Sequence, residues 1–120
     1  MEKEYQVNNK IIKVVVWTKG KEDGYTYKVN FIYNGKSHFF SYKDTCDYNR
    51  CLGCVEDLID DCTFDVIKDA YDFIQHDKFA DFEKVFNAPK WEYNKCRKVY
   101  FKMKEILSKS EIFKLYSMLN

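Results

Sequence analysis

The chain has 120 residues, of which 46% are hydrophobic, 18% aromatic and 32% charged, with a net charge of +1. That length suits one domain, and the composition is that of a globular protein rather than a disordered one. No apolar run reaches the ~18–20 residues of a membrane helix, and residues 1–10 lack the apolar centre of a signal peptide.

Residues 11–18, IIKVVVWT, are β-branched and apolar, which predicts a strand buried on both faces. A turn is expected over KGKEDG, residues 19–24. Residues 25–33 then alternate: Tyr25, Tyr27, Val29, Phe31 and Tyr33 share one face, Thr26, Lys28 and Asn30 the other. Asn34-Gly35 supplies a type I′ hairpin turn, whose two central residues need positive φ. Residues 36–42 complete a three-stranded antiparallel meander.

The period then changes from two to that of a helix. Val55, Leu58, Ile59 and Cys62 have i, i+3, i+4, i+7 spacing, and Thr63 is an expected N-cap for the next helix. That second helix turns Phe64, Ile67, Tyr71 and Ile74 inward. Asp77 is expected to cap a short helix bearing Phe79, Phe82, Val85 and Phe86, which Asn87-Ala88-Pro89 ends. The longest helix is expected over about residues 90–107, with Cys96, Val99, Tyr100, Met103, Ile106 and Leu107 as its apolar stripe. Ser108 and Glu111 have capping-box spacing and open a last helix. The expected fold is therefore α+β: one domain over 1–120, strands within about 11–42, and four to five helices within about 52–119 packed on the sheet.

The small net charge conceals a segregated pattern. Residues 1–43 carry 8 lysines and 4 acids, a net +4; residues 44–86 carry 4 basic and 12 acidic residues, a net −8; residues 87–120 carry 8 basic and 3 acidic residues, a net +5. Three readings follow. The opposite charges neutralise each other on solvated surfaces. Or Asp57, Asp60, Asp61, Asp65, Asp69 and Asp72 form an acidic face that competes for a basic groove in a nucleic-acid enzyme. Or Arg97, Lys98, Lys102 and Lys104 on the last long helix contact nucleic acid directly.

Other chemistry has weaker signals. Cys46, Cys51, Cys54 and Cys62 could hold zinc through four thiolates, but only Cys51 and Cys54 form a close pair, and Cys62 sits on an apolar helical stripe. With no signal peptide, the 5 cysteines are expected to be reduced. His38 and His76 stand in different elements, and no Gly-rich phosphate loop or nucleophile elbow is present in the sequence. Tyr25, Tyr27, Phe31, Phe39 and Phe40 are the rings that could stack on bases, although a helix-covered sheet needs most of them as core.

Three short stretches resemble small proteins carried by phages and prophages: Val55-Glu56-Asp57-Leu58, Phe79-Ala80-Asp81-Phe82-Glu83 and Arg97-Lys98-Val99-Tyr100. The likeness covers about residues 52–104. It differs at the cysteines and at Asn87-Ala88-Pro89-Lys90. The resemblance implies a mobile-element accessory protein, anti-CRISPR-like, that blocks a host defence nuclease. It implies no catalytic residue. The expectation is thus a non-enzymatic binding protein of the bacterial cytoplasm, with no cofactor. Its partner would be a host nucleic-acid enzyme met by the acidic face. The alternatives are nucleic acid met by the basic helix, or a zinc-stabilised cysteine protein.

Overall fold

The computed structural model describes residues 1–21, 24–44 and 55–120. The fold is α+β: four antiparallel strands form one sheet, and four helices follow among the described residues. The strands are β1 (Glu2–Val7), β2 (Lys10–Lys21), β3 (Gly24–Tyr33) and β4 (Lys36–Asp44), and they lie in sequence order. The helices are α1 (Val55–Gln75), α2 (Phe79–Phe86), α3 (Lys90–Met103) and α4 (Lys109–Leu119). The chain divides into two compact units, Met1–Phe64 and Asp65–Asn120, with the division inside α1.

The first unit is a meander with one strand more than expected. β1 reads EKEYQV, too charged to announce itself, yet Tyr5 and Val7 are buried while Glu2, Glu4 and Gln6 are not. Asn8, at φ 56°, turns the chain into β2, and the left-handed region suits asparagine better than most residues. The β3–β4 hairpin has the expected turn, with Asn34 at φ 51° and Gly35 at φ 78°.

Strand alternation separates a buried face from an open one. Ile12, Val14 and Val16 of β2 sit in register with Phe31, Val29 and, from β1, Tyr5 on the buried face. Phe40 and Tyr42 extend it on β4, where Phe31 meets Phe40 edge-on at 5.7 Å and Tyr27 stacks on Tyr42 at 5.4 Å. The expectation that residues 11–18 are buried on both faces is corrected: Ile11 and Trp17 are exposed. A run of β-branched residues cannot reveal which of its faces is covered.

Within the first unit, α1 begins with Leu58, Ile59 and Cys62 buried, as the stripe required. Lys3 and Tyr5 reach it from β1. Lys3 Nζ lies 3.0 Å from Asp60 Oδ1, and Tyr5 Oη donates to the same oxygen at 2.6 Å. Thr63 is not an N-cap. It sits inside α1, fully buried, with its hydroxyl 3.3 Å from Tyr5 Oη. A threonine that finds a buried partner costs the helix little, so the two expected helices are one.

The second unit is built from the rest of α1 and the three later helices. Phe73, Phe82, Ala88 and Cys96 form a cluster, with Tyr93 and Tyr100 packed against it. Tyr71 stacks face to face on Tyr116 at 3.8 Å. α2 is preceded by Lys78, which makes no side-chain cap; Asp77 instead offers its backbone carbonyl to Tyr93 Oη. α2 ends where Asn87, at φ 49°, donates its N–H to the Glu83 carbonyl. α3 starts directly after Pro89 and stops at Met103, short of the expected 107; Ile106 and Leu107 are buried in the turn that follows. The Ser108–Glu111 capping box is present in both directions.

Candidate nucleic-acid interface

α3 carries five cations, Lys90, Lys95, Arg97, Lys98 and Lys102, against one acid, Glu92, and Lys104 follows as its C-cap. Cys96, Val99 and Met103 fill its buried side. At 100° per residue the opposite side collects Trp91, Asn94, Arg97, Lys98 and Phe101. Two of these are large rings left in solvent: Trp91 is 67% exposed and Phe101 43%.

Phe101 is the centre of this surface. The Arg97 guanidinium lies 5.5 Å from its ring centroid and Lys104 Nζ 4.4 Å, so two cations bracket one face-bearing ring. Asn94, Arg97, Lys98 and Phe101 line a shallow hollow of about 480 Å³. Next to it, Phe73, Ile74, Tyr93, Arg97, Tyr100, Phe101 and Lys109, with the acidic Asp77, line a groove of about 360 Å³. Lys98 makes no ion pair among the described residues. Arg97, Lys98, Lys102 and Lys104 are all exposed. Cations on rotatable stems beside an exposed ring suit phosphate and base together.

The acidic set is placed differently. Asp57, Asp60 and Asp61 belong to the first unit, Asp65, Asp69 and Asp72 to the second. The Asp57 side chain lies outside the described residues. Asp60 accepts from Lys3 and Tyr5. Asp72 pairs with Lys68 at 2.7 Å, four residues back on the helix, and Asp69 lies 3.7 Å from Lys95. Burial alone would lower the Lys68 ammonium, but the hydrogen bond to Asp72 and the charges of Asp72 and Asp69 outweigh it and hold it above its ordinary range. At least three of the six carboxylates therefore spend part of their charge within their own unit.

The cysteine constellation cannot be assembled here. Cys46, Cys51 and Cys54 lie outside the described residues, and Cys62 is a buried cysteine on α1 that forms no disulfide. Among the described residues no three His, Cys, Asp or Glu side chains converge as a metal site. Cys96 is the second buried cysteine without a disulfide. Burial pushes it up first, and Asp69, Asp72 and Glu92 add to this, to about 12, with Lys95 opposing. His76 Nδ1 meets Asp81 Oδ2 at 2.6 Å, within the second unit. His38 lies on the buried-face row of β4, in register with Phe31.

Of the rings considered for stacking, Tyr27, Phe31 and Phe40 are buried core, and Phe39 is exposed. The Tyr25 side chain lies outside the described residues. Reading the sequence for sheet-borne rings missed Trp17, because a tryptophan closing a β-branched run passes for core. It missed Trp91 and Phe101 for another reason: both fall on the charged side of α3, which helical projection would have shown. No helix among the described residues is long and apolar enough to cross a membrane. No family model, curated protein or solved structure matches the chain.

Proposed function

We propose that the protein works by binding, and that it holds nucleic acid on the outward side of α3. The observation that carries this reading is Phe101, exposed and bracketed by Arg97 and Lys104, with Lys98 beside it and Trp91 further along the same side. Ten residues separate the two rings, about 15 Å of helix, so one strand of nucleic acid can lie along both. Cations meet phosphates, and rings meet unpaired bases. The roles follow: Arg97, Lys98, Lys102 and Lys104 bind phosphate, and Phe101 and Trp91 stack.

The test is fluorescence anisotropy of a labelled single-stranded oligonucleotide. Arg97→Ala with Lys98→Ala should weaken binding at least tenfold, and Phe101→Ala should weaken it by a similar factor, the usual cost of a lost base-stacking ring being ~1–3 kcal/mol. Both changes are at exposed positions, so the circular dichroism spectrum should stay as it is. Equal binding by the variants and the parent would remove α3 from the function.

A second reading rests on the net −8 of residues 44–86 and on the resemblance of three short stretches to phage accessory proteins. In it, the aspartates of α1 engage a basic groove of a host nucleic-acid enzyme in the bacterial cytoplasm. The pairing of Asp60, Asp69 and Asp72 within their own units makes this the weaker of the two. Capture of such an enzyme, lost when Asp61 and Asp65 become Asn, would reverse the order.

A further inference from the structure

The first unit holds a second aromatic surface that the α3 reading does not use. On the open face of the sheet, Trp17 of β2 and Phe39 of β4 are stacked at 5.9 Å, 48% and 50% exposed. Their strands are not neighbours. β3 runs between them, so their backbones stand two strand spacings apart, roughly 9.5 Å. Rings closer than that must lean toward each other over β3. The β3 residues in register there are Lys28, opposite Trp17, and Asn30, opposite Phe39.

Asn30 breaks the pattern of its strand. Strand alternation puts it on the open face, yet it is only 6% exposed, and its Oδ1 has no hydrogen-bond partner. A buried amide oxygen without a donor is a cost that stability alone would remove. An N–H from a ligand would satisfy it once the side chains that cover it move aside.

The three strands that carry this spot are basic, and β1 adds Glu2, which lies opposite Val15 in the row of Asn30 and Phe39. β2 and β3 contain no acidic residue, and the only one in β4, Asp44, is its last residue. Lys28 lies beside the rings without an ion pair among the described residues. In the next row of the register, Lys19, Thr26 and Lys43 lie across the three strands. Lys13 stands on the other side, paired at 3.0 Å with Glu2 of β1.

We propose that this open face is a nucleobase site, at which an unpaired base of a single strand stacks on Trp17 and Phe39. The amide of Asn30 reads the base edge, its Oδ1 accepting from an exocyclic or ring N–H, and Lys28 holds the adjoining phosphate. Lys28, without an ion pair among the described residues, selects an anionic strand over an apolar peptide. The aromatic pair selects unpaired bases over duplex, because paired bases keep their faces to themselves. The choice of ligand class rests on the reading given to α3, but the residues belong to a different unit and are tested separately.

The chain has 2 tryptophans, one on each surface, so its two indole N–H signals report the two sites independently. The experiment is a ¹⁵N–¹H titration of the full chain with a ten-nucleotide single strand of mixed sequence. Trp17→Phe and Trp91→Phe assign the signals. The Trp17 signal should shift and saturate, and the same sequence as a duplex should leave it in place. Phe39→Ala and Lys28→Ala should each raise the dissociation constant read from Trp17, Phe39→Ala by roughly tenfold. Asn30→Val should raise thermal stability and weaken the Trp17 response, a split that a merely structural asparagine would not give. A Trp91 signal that moves while Trp17 stays still overturns this inference and leaves the α3 reading standing. Two silent signals overturn both. A Trp17 shift that survives Phe39→Ala, Lys28→Ala and Asn30→Val unchanged, or that the duplex reproduces, also overturns it.

Discussion

Tyr5 is where one side chain joins β1 to α1. Its ring is buried, and its hydroxyl donates to Asp60 and lies next to Thr63. Tyr5→Phe keeps the ring and strands a buried threonine hydroxyl, so it should cost about 1–3 kcal/mol in urea unfolding. Burial first, then the hydrogen bond to Asp60, holds the Tyr5 phenol well above the ordinary tyrosine range, with Thr63 acting the other way. Cys96 is shifted in the same direction, to about 12 from 9.0. A raised pKa in the folded state means stability that is intact below the unfolded value and lost as pH climbs through the folded one. The Cys96 contribution should be whole below pH 9.0, and shrink between there and about 12. Unfolding midpoints measured across that range should fall more steeply for the parent than for Cys96→Ala. By the same physics the Cys96 thiol should resist iodoacetamide at neutral pH until the chain is unfolded. Asn30 runs opposite to these residues: replacing its orphaned amide with valine should stabilise the sheet by about 1–3 kcal/mol.

The elements differ in how plainly the sequence announces them, for reasons that are local. Asn34-Gly35 and the alternation of residues 25–33 depend on neighbours in sequence, and both were legible. So was the Ser108–Glu111 box, in which Ser108 N–H donates to Glu111 Oε1 at 2.8 Å. Ser108→Ala should cost about 1 kcal/mol of thermal or chemical stability, the usual worth of an N-cap. β1 was not legible, because its charged residues Glu2, Glu4 and Lys3 are tolerated only by virtue of pairing with β2 and with Asp60. The single length of α1 was hidden for the same reason. Thr63 looks like a helix start until Tyr5, fifty-eight residues away, supplies its partner. In the candidate interface, the cations of α3 could be read as a face from spacing alone. Trp91 and Phe101 fall on that same side by helical projection, whereas the exposure of Trp17 could not be read, since it depends on which side of β2 the rest of its unit covers.

For the whole molecule, a net charge of +1 is a poor guide to behaviour. The carboxylates of α1 are partly neutralised by Lys3, Lys68 and Lys95, whereas Arg97 and Lys104 face an aromatic ring in solvent and Lys98 has no ion pair among the described residues. On the proposed reading of α3, the charge that binds is local and basic. It should show itself as binding that weakens with salt, by a slope set by the phosphates neutralised. The most direct measurement is the dissociation constant for a single-stranded oligonucleotide across a salt series, for the parent and for Arg97→Ala/Lys98→Ala. A straight log–log plot is expected, its slope reduced by roughly 0.7 for each cation removed. Binding that is absent at low salt, or a slope that the double variant leaves unchanged, would contradict the assignment of α3 as the nucleic-acid face.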